Sequence, residues 1–577
     1  MSFYDLVDRL VADTLGKSLG AFLPELVICA TIVVILLVRI VPLGRGPHAF
    51  WPMLAGSLVA LYFVVPWDYL RASVGLPAGS AGGTPIFTGM LVYDLFSVYM
   101  RGLLLGFAVL FAVFTRLSGV PERDDANDFY VLVLGATLGM CLMVSANHVL
   151  MIFLGIEMAS VPMYVLAGLL RERRKGSEAS LKFAVFGAAT AGVMLYGISL
   201  LVGALGSAHL PTMARQLAEI LQARQSAEML GSGSGGQRDL VLVLGGLMLM
   251  VGLAFKLSAV PFHFWAPDVF EGAAAEVGAF LSVASKAAAL GLLARLAATF
   301  GYVAEVGQVA NLPDAVAQVA NLPHVAAQVA NLPHVVGQVG NLPHLAAALE
   351  PAREFMAGLI MLLAAVTCTF GNLAAYGQTN IKRLLAYSTI AHAGYMMMPV
   401  AAAVVLMGHS KAKAAAALGS MALYIAVYLF MNLGAFAVAA FLRNKLGSEN
   451  IADYAGLVRR SPVVAVCFAI ILFSLVGLPP LAGFSAKFAI FSSVFEADLL
   501  GLLFIGVLNT VLSLFYYVRI VKIMMLDEER PERFAAAVPL VSGPGVYCAA
   551  VTLPLVVLFV WWGGLFELAH TAAGTLF

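Results

Sequence analysis

The 577-residue chain has little charge: Asp, Glu, Lys and Arg make up 11% of it, under half the share of an ordinary soluble domain. Hydrophobic residues fill 61% of it. That balance excludes a soluble multidomain enzyme. The net charge of +1 excludes a basic nucleic-acid binder and an acidic disordered chain. Cysteine is also scarce. Cys29, Cys141, Cys368, Cys467 and Cys548 each sit alone in an apolar run, without the close C-x-x-C spacing of iron–sulfur clusters or structural zinc. The sequence therefore predicts neither a redox centre nor a metal site. The opening MSFYDLVDRL lacks the basic start of a cleaved signal, so the first apolar run is expected to remain as a span.

What the chain has in quantity is apolar runs. A bilayer core takes about 20 helical residues, and runs of that size fall near 21–41, 50–67, 90–114, 129–145, 147–170, 181–206, 239–262, 272–300, 354–376, 381–404, 416–442, 461–492, 499–523 and 543–566. Lipid offers the backbone no water, so such runs must be helices; barrel strands would be half as long and alternating. The expected fold is all-α and polytopic, with about 14 transmembrane helices. If the N-terminus lies outside, the inside loops carry 18 Lys and Arg and the outside loops 9. That bias places both termini outside.

Two connecting segments stand out. Residues 207–238 contain GSGSGG, in which Gly231, Gly233 and Gly236 match G-x-G-x-x-G. No strand precedes them and an apolar span follows, so a flexible outside linker is the better reading than dinucleotide binding. Between 305 and 349 a decapeptide recurs as QVANLPD, QVANLPH, QVANLPH and QVGNLPH. Its Pro313, Pro323, Pro333 and Pro343 break any long helix. His324, His334 and His344 recur in phase without a carboxylate or thiol partner, which favours an expanded outside loop over a metal ladder.

The informative residues are ionisable groups inside spans, where a central Lys or carboxylate costs about 2.5–3.5 kcal/mol even on lenient insertion scales. Glu157, Lys182, Lys256, Lys286 and Lys487 lie on separate expected helices. A buried lysine near a carboxylate can load and release a proton near neutrality, so the set reads as a proton relay. The bland alternative is a side chain that snorkels to a headgroup or neutralises one structural partner, and it weighs most for Lys182, close to a basic inside loop. Two of the lysines accompany backbone breaks: Pro261 follows Lys256, while Pro479, Pro480 and Gly483 precede Lys487. Freed backbone groups at membrane depth are tolerated only beside a polar cavity. Val251-Gly252-Leu253 and Val476-Gly477-Leu478 recur at corresponding places, suggesting two inverted five-helix repeats, spans 4–8 and 9–13, with broken helices 7 and 12.

The organisation expected is therefore residues 1–128 with helices 1–3, 129–300 as the first repeat, 301–353 as an outside loop, 354–523 as the second repeat and 524–577 with helix 14. His392 sits between the lysines of the two repeats, where a group titrating near neutrality would bridge them; a structural histidine is the rival reading. His148 and His263 lie nearer span ends. Asp94 and Arg101, seven apart on one expected helix face, are expected to neutralise each other.

FKLSAVPFHFWAPDVFEGA followed by FLSVASKAA, together with LGIEMASVPMYVLAGLLR, NIKRLLAYSTIAHAGYMMM and GLPPLAGFSAKF, resembles the antiporter-like subunits of the proton-pumping NADH:quinone oxidoreductase, respiratory complex I, and subunit N in particular. The likeness spans roughly residues 90–525. It implies fourteen spans, inverted repeats and paired half-channels, with Glu157, Lys182, Lys256, Lys286 and Lys487 as the functional positions. Sister subunits L and M and multi-subunit sodium/proton antiporters share V-P-F-H-x-W. Lys286 within S-V-A-S-K and the P-D-V-F-E-G run favour subunit N, as does Lys487 where subunit M carries glutamate.

The resemblance implies a proton-translocating subunit that binds no cofactor itself. NADH, FMN, Fe–S clusters and quinone would belong to partner subunits. Expected partners are subunit M, the small subunits K and J, the peripheral redox arm and the lipid of a bacterial cytoplasmic membrane, with no nucleic acid. Two alternatives stay open: a cation/proton antiporter subunit without a redox partner, and a non-pumping spacer. One departure is local. Where the family reads E-G-A-P-T-P-V-T, this chain has Glu271-Gly272-Ala273-Ala274-Ala275-Glu276-Val277-Gly278, which should make the start of span 8 more regularly helical and adds an acid near the inside mouth.

Overall fold

The structure is a computed structural model and describes residues 3–40, 49–64, 83–121, 125–169, 174–229, 236–302, 347–528 and 538–577. Gly231, Gly233 and the segment holding Pro313, Pro323, Pro333, Pro343, His324, His334 and His344 lie outside the described residues.

In chain order the helices are α1 (Phe3–Asp13), α2 (Leu23–Ile40), α3 (Phe50–Val64), α4 (Leu95–Ser118), α5 (Ala126–Ser145), α6 (Val149–Ala167), α7 (Arg174–Leu205), α8 (Leu210–Met229), α9 (Gly236–Leu257) and α10 (Trp265–Gly272). They continue as α11 (Ala275–Gly301), α12 (Glu350–Ala375), α13 (Ile381–Leu406), α14 (Lys411–Leu446), α15 (Pro462–Val476), α16 (Ala482–Glu496), α17 (Leu500–Met525), α18 (Gly543–Val560) and α19 (Trp562–Gly574). Among the described residues, 11 helices are long and apolar enough to cross a membrane: α4–α7, α9, α11–α14, α17 and α18. The protein is a multi-pass membrane protein. A short antiparallel hairpin, β1 (Thr84–Ile86) and β2 (Leu91–Tyr93), precedes α4.

α11, α13 and α14 are buried along nearly their whole length, as helices apolar on all faces should be. α7, α12, α16 and α17 surround them and turn Leu181, Val185, Leu362, Phe488, Phe504 and Phe515 outward, a surface suited to lipid tails. Close packing uses small residues: a Cβ on Gly371 of α12 would lie 2.5 Å from the Ala391 nitrogen of α13, and one on Gly394 would lie 2.5 Å from the Cys368 nitrogen.

Three expectations are corrected. Asp94 and Arg101 do not neutralise each other. Asp94 caps α4, accepting from the Ser97 amide at 2.6 Å, and both its oxygens receive the Arg295 guanidinium of α11 at 2.8 and 3.1 Å. Arg101 instead pairs with Glu25 of α2 at 3.0 Å and donates to Ser145 Oγ. The helix-spacing argument fails because Asp94 is a cap in extended backbone and is not part of the helical face. The more regular helix expected at the start of span 8 is missing from its first residues: Ala273 and Ala274 stay extended and α11 starts at Ala275. The last expected span, 543–566, is interrupted: α18 stops at Val560 and α19 packs on α14.

The Arg295–Asp94 pair ties α11 to the first turn of α4. Replacing Arg295 with Met leaves a buried carboxylate uncompensated and should lower stability by about 3–5 kcal/mol. Adding Asp94→Asn should recover much of that loss. Thermal unfolding of the detergent-solubilised protein, run as a double-mutant cycle, measures both.

Candidate functional site

The site forms around two interruptions. α9 ends at Leu257, Ser258 takes a left-handed backbone (φ 55) and a cis peptide bond precedes Pro261. Trp265, opening α10, donates its ring N–H at 3.2 Å to the Phe255 carbonyl, which also accepts the Ser258 amide at 3.0 Å, and the Val260 amide donates to Thr367 Oγ1 at 3.0 Å. Lys286 of α11 donates to Ser258 Oγ at 3.2 Å, and its ammonium lies 6.0 Å from the ring centres of Trp265 and Phe270. Lys256, in the last turn of α9, has no hydrogen-bond partner for its ammonium among the described residues. It lines a narrow crevice, too tight for a water molecule, with Glu157, Ser160, Tyr164 and Thr190. The glutamate and the lysine thus line one space without a direct ion pair.

The second interruption has the same logic. α15 ends at Val476, Gly477 turns at φ 86, Pro479–Pro480 is cis and α16 resumes at Ala482. Lys487 donates to the Val476 carbonyl at 2.9 Å and lies 4.4 Å over the Tyr395 ring. Gly483 is required by space, since a Cβ there would lie 1.8 Å from the Ser474 carbonyl oxygen. His392 of α13 places Nδ1 2.7 Å from the Tyr424 hydroxyl and Nε2 3.4 Å from that of Tyr517, which is itself bonded to Ser388. Tyr395 links the two, with its ring 5.8 Å from that of His392. All four central cations and bases are nearly inaccessible: Lys256 is 3% exposed, Lys286 1%, His392 2% and Lys487 3%.

These residues fall into two groups. Glu157, Lys256 and Lys286 gather at the first break, and His392 and Lys487 at the second. Among the described residues no hydrogen bond joins Lys286 to His392. Lys182 stands apart from both, half-exposed and ion-paired with Glu178 at 2.6 Å and Asp268 at 2.8 Å. It belongs to a charged network at the Lys- and Arg-rich end. There Arg383 spans Asp268 (2.9 Å) and Glu271 (2.8 Å), and buried Lys382 donates to the Glu271 and Ala273 carbonyls, both at 2.8 Å. Lys382 therefore caps the C-terminus of α10. His148 caps α6 through Nδ1, and His263 packs between Phe264 and Phe370.

Sequence reasoning missed the hydroxyl and amide groups around His392. Asn432 donates to Tyr428 at 2.8 Å and to Thr389 at 3.3 Å. Asn372 receives the Tyr516 hydroxyl at 3.0 Å and donates to Asn509 at 3.2 Å. The available signal was Tyr424, Tyr428 and Asn432 at four-residue spacing in an otherwise apolar run, one polar stripe on a helix. Among the described residues no cluster of His, Cys, Asp and Glu has the makings of a metal site.

Residues 146–312 and 312–513 each match the family described as "NADH:quinone oxidoreductase/Mrp antiporter, TM". The chain is 36% identical to NADH-quinone oxidoreductase subunit N 2 of Sorangium cellulosum over 97% of this chain and 98% of that one. It is 35% identical to NADH-quinone oxidoreductase subunit N of Anaeromyxobacter sp. over 87% of this chain and 88% of the relative. A chain of respiratory complex I from Thermus thermophilus with bound aureothin superposes with a TM-score of 0.65 at 26% identity, covering 94% of this chain and 98% of that one.

Glycine packing at the second break gives a sharp test. Gly483→Ala forces backbone apart and should cost about 1–3 kcal/mol or more, whereas Gly358→Ala, mid-helix with open space around it, should stabilise by about 0.5–1 kcal/mol. Thermal unfolding of the two variants in detergent should move in opposite directions.

Proposed function

The chain belongs to the NADH-quinone oxidoreductase subunit N family, and on that premise we propose that its half-buried Glu157 and buried Lys256, Lys286, His392 and Lys487 carry protons across the membrane. The subunit is a membrane component of NADH-quinone oxidoreductase. In this reading it is a non-redox translocase: it binds no cofactor, and NADH, FMN, Fe–S clusters and quinone belong to its partners. Those partners are subunit M, the small subunits K and J and the peripheral redox arm. The setting is a bacterial cytoplasmic membrane with both termini outside.

The full architecture proposed is fourteen spans, with α9–α10 and α15–α16 as the broken ones, in two inverted repeats within 129–300 and 354–523. The two successive family matches support the repeat, and the paired interruptions beside Lys256 and Lys487 support the breaks.

One observation carries the mechanism: Lys256 is buried without a hydrogen-bond partner and lines the same narrow crevice as Glu157. An ammonium in that position depends on the glutamate's charge. Moving that charge, or its partner's, changes how tightly the lysine holds its proton. Lys286 lies beyond Ser258, and His392, bonded to two tyrosines, takes the proton toward Lys487. Lys487 then releases it outward. Lys182 sits within the charged network at the inside mouth and holds the mouth's acids for proton collection. Moving one charge against about 100 mV costs about 2.3 kcal/mol, less than two pKa units, which is within the range of a buried Lys/Glu pair.

The family description also names Mrp antiporters, so the rival is cation/proton exchange without redox coupling. Reconstituted complex in vesicles separates the readings. Lys256→Ala should cut NADH-driven proton pumping by about tenfold or more. Unchanged pumping in an assembled complex would make the subunit a spacer, and sodium-dependent proton exchange without NADH would make it an antiporter.

A further inference from the structure

Resting on the proton-relay reading, we infer that Glu276, at the start of α11, is a proton-accepting group at the inside end of an uptake route that runs along α14 to His392. Glu276 is fully buried, and neither of its carboxyl oxygens has a hydrogen-bond partner. Its ion contact is Arg443 of α14, at 3.5 Å, and that guanidinium is turned toward Asn444, to which it donates at 3.0 and 3.3 Å. The Tyr454 hydroxyl, within electrostatic range of Arg443, and Asn432 Oδ1 are likewise buried and unpartnered. Orphaned buried oxygens are costly unless water satisfies them or, for a carboxylate, a proton does. Such oxygens beside the end of α14 and, at Asn432, farther along the same helix mark a hydrated path.

The path has a direction. Tyr424, Tyr428, Asn432 and Phe436 follow one another at four-residue spacing and Arg443 comes seven later, all on one face of α14. From Asn432 upward the stripe is polar and bonded: Asn432 to Tyr428 at 2.8 Å, then the Tyr424 hydroxyl to His392 at 2.7 Å. Below Asn432 a single ring interrupts it. Phe436 fills the space left by Gly278, where a Cβ would lie 2.8 Å from its Cε1, and contacts Phe270 of α10 at 5.8 Å. Phe436 is thus a dry gate leaning on the half-helix that begins at the first break.

The transfer balances simply. Hydronium at the mouth protonates the Glu276 carboxylate and leaves water; the carboxyl passes its proton to the next water inward and returns to carboxylate beside Arg443. Glu276 occupies a position where the family's usual E-G-A-P-T-P-V-T places proline.

The test uses the assembled complex in proteoliposomes and reads protons pumped per NADH oxidised. Glu276→Gln should lower that ratio severalfold, and Glu276→Asp should restore most of it. The inference is overturned if Glu276→Gln pumps like the parent while Lys256→Ala does not, or if Asp fails to rescue. If Lys256→Ala also pumps normally, the relay reading itself falls. Where Glu276→Gln does not assemble, Phe436→Ala decides: increased passive proton leak without NADH supports the gated route, and unchanged leak refutes it.

Discussion

The placement of positive charge at the ends of interrupted helices is the arrangement on which the rest of this bundle depends. A helix stopped inside a membrane leaves carbonyl groups that neither lipid nor a next turn can satisfy. Here lysines supply the missing donors. Lys487 bonds the last carbonyl of α15, and Lys382 bonds two carbonyls at the end of α10. Lys286 reaches the hydroxyl just past the end of α9. Each ammonium sits where the helix dipole is negative, so break and charge stabilise each other. Removing either one would leave the other unsatisfied in a dry core.

Within that shared scheme the two breaks differ. Lys487 has a carbonyl and an aromatic face, whereas Lys256 has no hydrogen-bond partner among the described residues and lines a narrow crevice with Glu157. A cation without a fixed partner responds most strongly to a nearby charge, because no local hydrogen bond competes. This asymmetry leaves the lysine of the first break open to nearby charge, while that of the second is held against a carbonyl and a ring. Tyr395, between His392 and Lys487, makes the second half a continuous aromatic and hydroxyl-lined unit.

Much of this was legible in the sequence because lipid imposes strong rules. Apolar runs locate the long helices, and a charge or proline inside one is conspicuous: Lys256, Lys286 and Lys487 were found that way, and each lies in the buried interior. Partners were legible only when local. Arg295 and Glu25 answer Asp94 and Arg101 from distant helices, which residue spacing within one helix does not reveal. The capping role of Asp94 reversed a helix-face argument. Hydroxyl groups such as Tyr424 and Tyr517 were passed over because tyrosine is unremarkable in apolar sequence; only the fold shows their hydroxyls meeting one imidazole.

Charge type separates scaffold from relay. Arg295 and Arg101 are buried as deeply as the lysines, yet Arg295 is bidentate with Asp94 and donates to the Val144 carbonyl as well, and Arg101 meets Glu25, Ser145 and Ala21. A guanidinium keeps its proton throughout the accessible pH range and locks a carboxylate in a planar fork. Such pairs cannot pass protons and serve to fix α2, α4 and α11 against one another. Lysine, glutamate and histidine can give up protons, and among them Lys256 and Glu276 have no hydrogen-bond partner among the described residues. The Arg443–Glu276 contact, long and one-sided, falls between these classes: the guanidinium stands near the acid without gripping it in a fork. A permanent cation that only loosely engages a titratable acid is the combination a proton-collecting group requires.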